Sequence, residues 1–307
     1  MNNRNIYISG ITGFLGRYLS NHLRNEYLVL SISRDYLSSI REKESQNSSL
    51  LPTPDVYIHL AGKAHDLKKT SEPKEYYTVN TELTKSIFDD FLKSDAKVFI
   101  MMSSVKAVAD NISEILTEDF IPNPQTHYGK SKRLAEEYIL ANLPKNKKIY
   151  ILRPCMIHGV GNKGNLNLLY NFVKKGIPYP LGAYDNKRSF LSIDNLCFIV
   201  DELIKRKDIP SGIYNLADNT PVSTERLIHI MSNVTNKRVF IWKIPKFIIN
   251  IIAKIGDYLP LPLNTERVMK MTENYVVSNQ KIKSALGNNL PVSSEDGLRK
   301  TIESFNK

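Results

Sequence analysis

The apolar run Asn5–Ser9 ends at Gly10 and opens into Gly10-Ile11-Thr12-Gly13-Phe14-Leu15-Gly16, after which Leu15, Leu19 and Leu23 share one helical face. Three glycines at three-residue spacing between a strand and a helix constrain this chain more than any other feature. One allows the tight turn, one lets backbone approach a pyrophosphate, and one lets the helix close against the strand. The helix start then offers free N–H groups and the positive end of its dipole to phosphate oxygens. A plain β–α turn is the alternative. Placement directly after the first strand and at the mouth of an amphipathic helix favours a dinucleotide, held by Gly10, Thr12, Gly13, Phe14, Leu15 and Gly16.

The rest of the N-terminal half keeps this rhythm. Tyr27–Ile32, Asp55–Leu60, Ala96–Met102 and Lys148–Leu152 read as buried strands, with helical stretches at Asn80–Leu92 and His127–Ala141. Strands alternating with helices predict an α/β fold, a doubly wound parallel sheet covered on both faces. Beyond Arg153 the segments shorten, punctuated by Gly159, Gly161, Gly164, Gly176, Pro178, Pro180 and Gly182. Helical pieces are expected near Leu166–Lys175, Asp194–Lys205 and Thr224–Val234. The expected organisation is a dinucleotide-binding domain over residues 1–153 and a smaller, mainly substrate-binding C-terminal domain over 154–307. The second lies over the carboxyl ends of the strands, and some of its segments are free to return to the sheet. Lys43–Pro54, polar and Ser-rich, is the linker-like stretch.

Composition narrows the partners. The 307 residues are 42% hydrophobic and 24% charged, which excludes disordered and fibrous classes. A net charge of +11 suits anionic partners such as nucleotides and sugar diphosphates. No long Lys/Arg run or zinc-finger spacing accompanies it, so nucleic acid is not expected. Cys155 and Cys197 have no metal-ligand spacing, and two cysteines fit a reducing compartment better than a disulfide framework. Met1–Arg4 is polar and lacks a signal-peptide layout, so the expected location is the cytoplasm. The most apolar region, Val239–Leu263, is interrupted by Lys243, Pro245, Lys246, Lys254, Asp257 and Pro260, too often for a membrane span. It is expected to be a core helix of the smaller domain, the alternative being a basic amphipathic surface that docks on a membrane.

The sharpest chemical signal is Tyr128-Gly129-Lys130-Ser131-Lys132 at the start of the long helix. Tyr128 and Lys132, four apart, lie on one helical face about 5–6 Å apart at Cβ. A tyrosine with an ordinary pKa near ~10 needs a neighbouring cation to exchange a proton near neutrality. Such pairs are common on surfaces. A second signal, Ser103-Ser104 directly after Met101-Met102, places a hydroxyl at the carboxyl end of a strand, although serines there also cap turns. Glycine turn, strand-end serine and tyrosine–lysine helix in this order are unlikely to coincide by chance. At the end of the second strand, Ser33 and Arg34 suit a 2′-phosphate and favour NADP(H), whereas Asp35 would serve NAD(H).

With these motifs the chain resembles the extended short-chain dehydrogenase/reductase family over nearly its whole length. That resemblance implies a Rossmann-type sheet and a nucleotide-sugar epimerase, dehydratase or ketoreductase. Asp55–Gly62, including Leu60, Ala61 and Gly62, is similar to the strand lining the cofactor, Asn80 to the structural asparagine, and Leu152-Arg153-Pro154 to the strand after the catalytic helix. The resemblance makes Ser104 the catalytic serine and Tyr128 the acid/base, with Lys132 holding the nicotinamide ribose and lowering the tyrosine pKa. It places Pro154 at the cofactor, Arg188 at the diphosphate and Asn165 at the sugar nucleotide. Lys163–Asp194 and Ser211–Thr224 are similar to the bacterial polysaccharide-locus, UDP-glucose 4-epimerase-like branch. The implied substrate is UDP-linked, and the implied dimer packs through helices such as the one carrying Tyr128. Dehydratases of this family carry Asp-Glu after the catalytic hydroxyl. Val105-Lys106 stands there, which disfavours dehydration. The usual Asp and aliphatic pair near the adenine is missing, and Ala107-Val108-Ala109 replaces a Tyr-Gly or Asn-Gly sequence.

Other polar residues are expected to play smaller parts. His127 cannot face Tyr128 from the adjacent position. His59 is expected to be a satisfied buried imidazole, Glu118 and Asp119 to lie in a surface loop, and Lys106 to meet solvent or a phosphate. Both cysteines are expected to be buried and inert.

Overall fold

The computed structural model describes residues 4–32, 52–63, 72–162, 165–259, 263–287 and 289–306. Six parallel strands form its central sheet: β1 (Asn5–Ser9), β2 (Leu28–Ile32), β3 (Val56–His59), β4 (Val98–Met102), β5 (Lys148–Pro154) and β6 (Gly212–Leu216), in the order β2-β1-β3-β4-β5-β6. The order reverses at β1, which places a crevice at the carboxyl ends of β1 and β3. Residues beyond 153 return to this sheet, since β6 pairs with β5 from Tyr150↔Gly212 to Pro154↔Leu216.

Alternation along the strands explains how both faces are filled. Ile6, Ile8, Val56, Ile58, Ile100, Tyr150 and Leu152 point into one core, closed by α1 (Phe14–Leu23) and the helix Ile193–Lys205. Tyr7, Tyr57, Phe99, Ile149 and Ile151 point the other way, under Ile87, Phe88 and Phe91 of the helix Leu83–Lys93 and Ala135 and Ile139 of the helix His127–Ala141. A third cluster, Leu166, Tyr170, Val173, Leu227, Ile228, Met231, Leu298 and Ile302 among its members, forms a separate apolar core from the residues beyond β5.

The long helix starts and stops where its sequence predicts. Thr126 caps it by accepting from Gly129 N. The expected helix from Asn80 begins differently. Pro73–Tyr76 leads into a π-helical turn, Tyr77–Glu82, before regular helix resumes at Leu83. Asn80 is fully buried there and faces the end of β3. Val239–Leu263 departs further from expectation. It is not a core helix: Lys246–Gly256 lies on the surface, and only Ile249, Ala253 and Gly256 are buried. Those residues form one narrow seam, in which the small Gly256 admits the backbone of Leu263 and Asn264. No helix among the described residues is long and apolar enough to cross a membrane.

One buried ion pair joins the long helix to the sheet. Arg153 on β5 donates through Nε (2.9 Å) and a terminal nitrogen (2.6 Å) to the two oxygens of Glu136, and Ser103 Oγ donates to the same carboxylate at 2.6 Å. All three residues are buried. Removing one partner strands the other, so Glu136→Ala should lower stability in urea unfolding by about 3–5 kcal/mol. The apolar pair Glu136→Leu/Arg153→Met should cost less than the single change, and an equal or larger loss would contradict this account.

Candidate active site

The carboxyl edge of the sheet collects the polar residues singled out above. Gly10, following β1, has φ +74°, and a Cβ there would stand 2.7 Å from Ala61 N. Gly16 is tighter, since its Cβ would lie 2.2 Å from Gly10 O. Thr12 and Gly13 are exposed at the turn, Phe14 and Leu15 half-buried. Gly13 provides no side-chain cap and the first turn of α1 has no acidic residue, so nothing acidic competes for an anion at this helix start. These residues fit the pyrophosphate of a dinucleotide.

Leu60, Gly62, Lys63, Met102, Ser103, Ser104, Tyr128, Lys132, Pro154, Cys155 and Ile157 line a cleft of about 230 Å³ beside that turn. Gly62 is required by its neighbours, because a Cβ would meet Lys132 Nζ at 2.9 Å and Asn80 Oδ1 at 3.0 Å. Asn80 fixes this corner: its Oδ1 accepts from Lys63 N (2.8 Å) and its Nδ2 donates to Lys63 O (3.1 Å) and Ser131 Oγ (3.0 Å). Gly129 performs the equivalent task for the other two groups. Its missing side chain lets the helix approach Lys106 O, which a Cβ would meet at 2.4 Å, and so brings Tyr128 beside the turn that follows Ser104.

Electrostatics follow from this enclosure. Tyr128 accepts support from a hydrogen bond with Ser104, which favours the phenolate, yet burial dominates and holds its pKa above the ordinary value. Lys132, expected to lower that pKa, donates instead to Met102 O at 2.9 Å. Burial pushes its ammonium down to about 8, against the opposing pull of Glu136. His59 is a satisfied buried imidazole. Ser9 Oγ lies 2.6 Å from Nδ1 and Thr84 Oγ1 2.8 Å from Nε2, and burial lowers its pKa to about 3. Since Thr84 Oγ1 donates to Asn80 O at 2.7 Å, it accepts from Nε2–H, which fixes the neutral tautomer.

Other expected residues take definite places. Arg188 lies outside this cleft, on a second cavity of about 330 Å³ whose wall includes Leu166, Phe172, Leu227, Arg267, Lys270 and Met271. Its guanidinium donates to Glu273 O (3.1 Å) and pairs with the Glu273 carboxylate (3.3 Å). Asn165 opens the helix Asn165–Lys174, and its side chain, like Ser33 and Arg34, lies outside the described residues. Lys106 meets neither solvent alone nor an open site, because its Nζ donates to Asp110 O (2.5 Å) and sits 4.2 Å from the Tyr275 ring centroid. Glu118 accepts from Asn215 N at 2.7 Å rather than standing in a free loop. Cys197 is buried, whereas Cys155 is half-buried at the cleft, and burial raises both thiol pKa values.

Sequence reasoning missed Glu136 and Asp110. The Asp110 carboxylate accepts from Gln125 N (2.7 Å), Thr126 N (3.0 Å) and Thr126 Oγ1 (3.0 Å), clamping the entry to the helix. A capping threonine two residues before Tyr128 was the available signal for that clamp. Larger than either cleft is a cavity of about 570 Å³ at the amino ends of the strands. Its Lys147 and Lys148 donate to the carbonyls of Phe91, Leu92, Ser94 and Ile209, so their ammonium groups are held by the fold.

A parallel sheet with a glycine turn at its switch point and a serine, a tyrosine and a lysine converging beside it defines an NAD(P)-dependent enzyme. The NAD dependent epimerase/dehydratase family matches residues 6–217, and the chain belongs to that family. It is similar to a UDP-glucose 4-epimerase of Vibrio cholerae, 28% identical over 98% of this chain and 95% of that protein. It is also similar to an Escherichia coli O157:H7 N-acetyl-alpha-D-glucosaminyl-diphospho-ditrans,octacis-undecaprenol 4-epimerase, 23% identical over 98% and 95% of the two chains. The Thermotoga maritima UDP-glucose 4-epimerase solved with UDP-glucose shares the fold, with a TM-score of 0.73 at 19% identity over 98% of both chains. Bordetella bronchiseptica WbmG, solved with NAD and UDP, gives 0.74 at 15% identity over 99% and 96%.

Tyr128→Phe keeps the ring and removes the hydroxyl, so turnover should fall about a hundred- to ten-thousandfold while NAD(P)H binding, followed by fluorescence, persists. Loss of cofactor binding instead would mark Tyr128 as structural. The ammonium of Lys132 disappears as pH rises through about 8, because burial has lowered its pKa. kcat/KM should therefore decline on the alkaline side from about that pH, and a flat profile to pH ~10 would exclude Lys132 from proton transfer.

Proposed function

We propose that this enzyme works at C4 of a nucleotide-linked hexose, as an NADPH-dependent reductase of a UDP-4-keto-6-deoxy sugar in surface polysaccharide synthesis. The observation that carries the reading is the meeting of Ser104, Tyr128 and Lys132 in one cleft beside the glycine turn. A bound nicotinamide would supply or accept hydride. Tyr128 then delivers the proton to the C4 oxygen, and Ser104 donates a hydrogen bond to that oxygen as charge develops on it. Lys132 restores charge balance at the tyrosine and holds the cofactor ribose. Pro154 and the Leu60–Gly62 turn flank the same cleft.

Water elimination lacks its groups. Val105 is buried after Ser104, and Lys106 is bound to the Asp110 carbonyl, so no carboxylate follows the serine. Arg188, with Arg267 and Lys270 on the neighbouring cavity, supplies cations for the diphosphate, and fixing that group aligns the sugar with the cofactor. Ser33 and Arg34 support NADPH, and Asn165 is assigned to the sugar nucleotide by position.

A second reading, an NAD-dependent 4-epimerase, draws support from the Vibrio cholerae relative, which spans almost the whole chain. The same three groups then work forward and back while the sugar turns over between steps. Purified protein given a UDP-4-keto-6-deoxy-N-acetylhexosamine should oxidise NADPH in preference to NADH, and Tyr128→Phe should abolish the signal. Interconversion of UDP-hexoses without net cofactor use would instead establish the epimerase and overturn the NADPH assignment.

A further inference from the structure

The segment from Lys237 to Leu259 combines two properties that rarely coincide on a free surface. Its exposed residues include large apolar ones: Phe240, Trp242 (54% exposed), Phe247 (66%), Ile251 (55%), Ile255 (47%) and Tyr258 (90%). It is also basic, with Lys237, Arg238, Lys243, Lys246 and Lys254 exposed against the single acid Asp257. Phe247, Ile251 and Ile255 recur every four residues on the helix Lys246–Gly256, one continuous apolar stripe flanked by lysines.

We propose that this face is an in-plane docking surface for an anionic lipid bilayer. The helix has 11 residues, about 16 Å at ~1.5 Å per residue, which is too short to span and suited to lying at the interface. Its aromatic residues, Trp242 among them, are the kind that settle at the headgroup level, and the lysines meet lipid phosphates. A second copy of this chain is the competing occupant. A two-fold contact would set this patch against itself, bringing five cations opposite five with one acid on each side, and that repulsion disfavours it.

Hydrogen bonds tie this surface to neighbouring segments. Trp242 N and O pair with Tyr179 O (2.8 Å) and Gly182 N (3.0 Å), and Asp257 receives Thr265 N (2.9 Å) and Oγ1 (2.6 Å) at the head of the helix Thr265–Thr272. That second helix carries Arg267, Lys270 and Met271 into the cavity at Arg188. Docking would thus engage a segment hydrogen-bonded to the helix that supplies one wall of that cavity. The proposal holds whichever direction the C4 chemistry runs.

Trp242 is the only tryptophan in the chain, so its emission reports directly on this face. Intact protein should sediment with vesicles of phosphatidylcholine containing one-quarter phosphatidylglycerol, with a blue shift of Trp242 emission. Pure phosphatidylcholine or high salt should weaken binding strongly. Ile251→Asp/Ile255→Asp, at exposed positions, should weaken partitioning at least about tenfold while the thermal melt and the activity on a soluble substrate stay unchanged. No sedimentation with the anionic vesicles overturns the proposal. So does a lipid-free blue shift that grows with protein concentration and tracks a dimer in sedimentation velocity. Failure of the C4 chemistry would appear only in the activity assay and leave the vesicle result intact.

Discussion

The carboxylate of Glu136 holds the active site in register. It is fully buried, yet it joins three elements by accepting from Arg153 on β5 and from Ser103 at the end of β4, and by pairing at 3.5 Å with Arg133 within its own helix. Lys132 lies one turn before it and Tyr128 two turns before, so the carboxylate fixes the rotation of this helix at the end that carries both. An apolar pair of similar volume would bury as well and avoid the desolvation cost of two ions. It would not specify an angle, and a proton donor needs placement to about 0.5 Å.

Close approach supplies the rest of the geometry. Gly62, Gly129 and Gly16 each occupy a spot where a methyl group would collide with backbone or with Lys132. Two of them bring together groups whose sequence separation is large: Gly62 admits Lys132, and Gly129 admits the turn after Ser104. The lysine then sits under a carbonyl in a water-poor corner. Its lowered pKa and the raised pKa of Tyr128 have one cause, the removal of solvent from both charged forms, and Ser104 partly offsets it for the tyrosine.

Much of this was legible in the sequence. The glycine turn, the strand runs and the helix His127–Ala141 are local patterns, and local patterns report their own structure. Tyr128, Lys132 and Ser104 could be picked out by their spacing and strand-end position, and the structure brings the three to one cleft. Glu136 could not. Four residues after Lys132 and flanked by Glu137, it reads as one half of a surface ion pair, and only the long-range partner Arg153 makes it internal. The π-helical turn at Asn80 was hidden for a similar reason, since the hydrogen bonds that stabilise it reach to Lys63 and Ser131. Val239–Leu263 misled because hydrophobicity measures a preference for leaving water without naming the destination, and a solvent-facing stripe can be as apolar as a core one.

The net charge of +11 follows the same logic, because what a lysine does depends on where it is put. At the amino edge of the sheet Lys147, Lys148 and Arg206 donate to backbone carbonyls, three of them at the end of the helix Leu83–Lys93 and two at the end of Gln280–Leu286, where a cation also meets the negative end of a helix dipole. Those charges support the fold, and they line a cavity larger than the two clefts at the other end of the strands. Arg188, Arg267 and Lys270 line a second cavity, where Arg188 pairs with Glu273 and donates to the Lys270 carbonyl while Lys270 pairs with Glu266. The remaining cluster, from Lys237 to Lys254, surrounds exposed isoleucine and aromatic side chains. A charged rim around an apolar stripe solves no packing problem within the molecule, and it is the arrangement that a phosphate-bearing, oil-centred surface would satisfy on both counts.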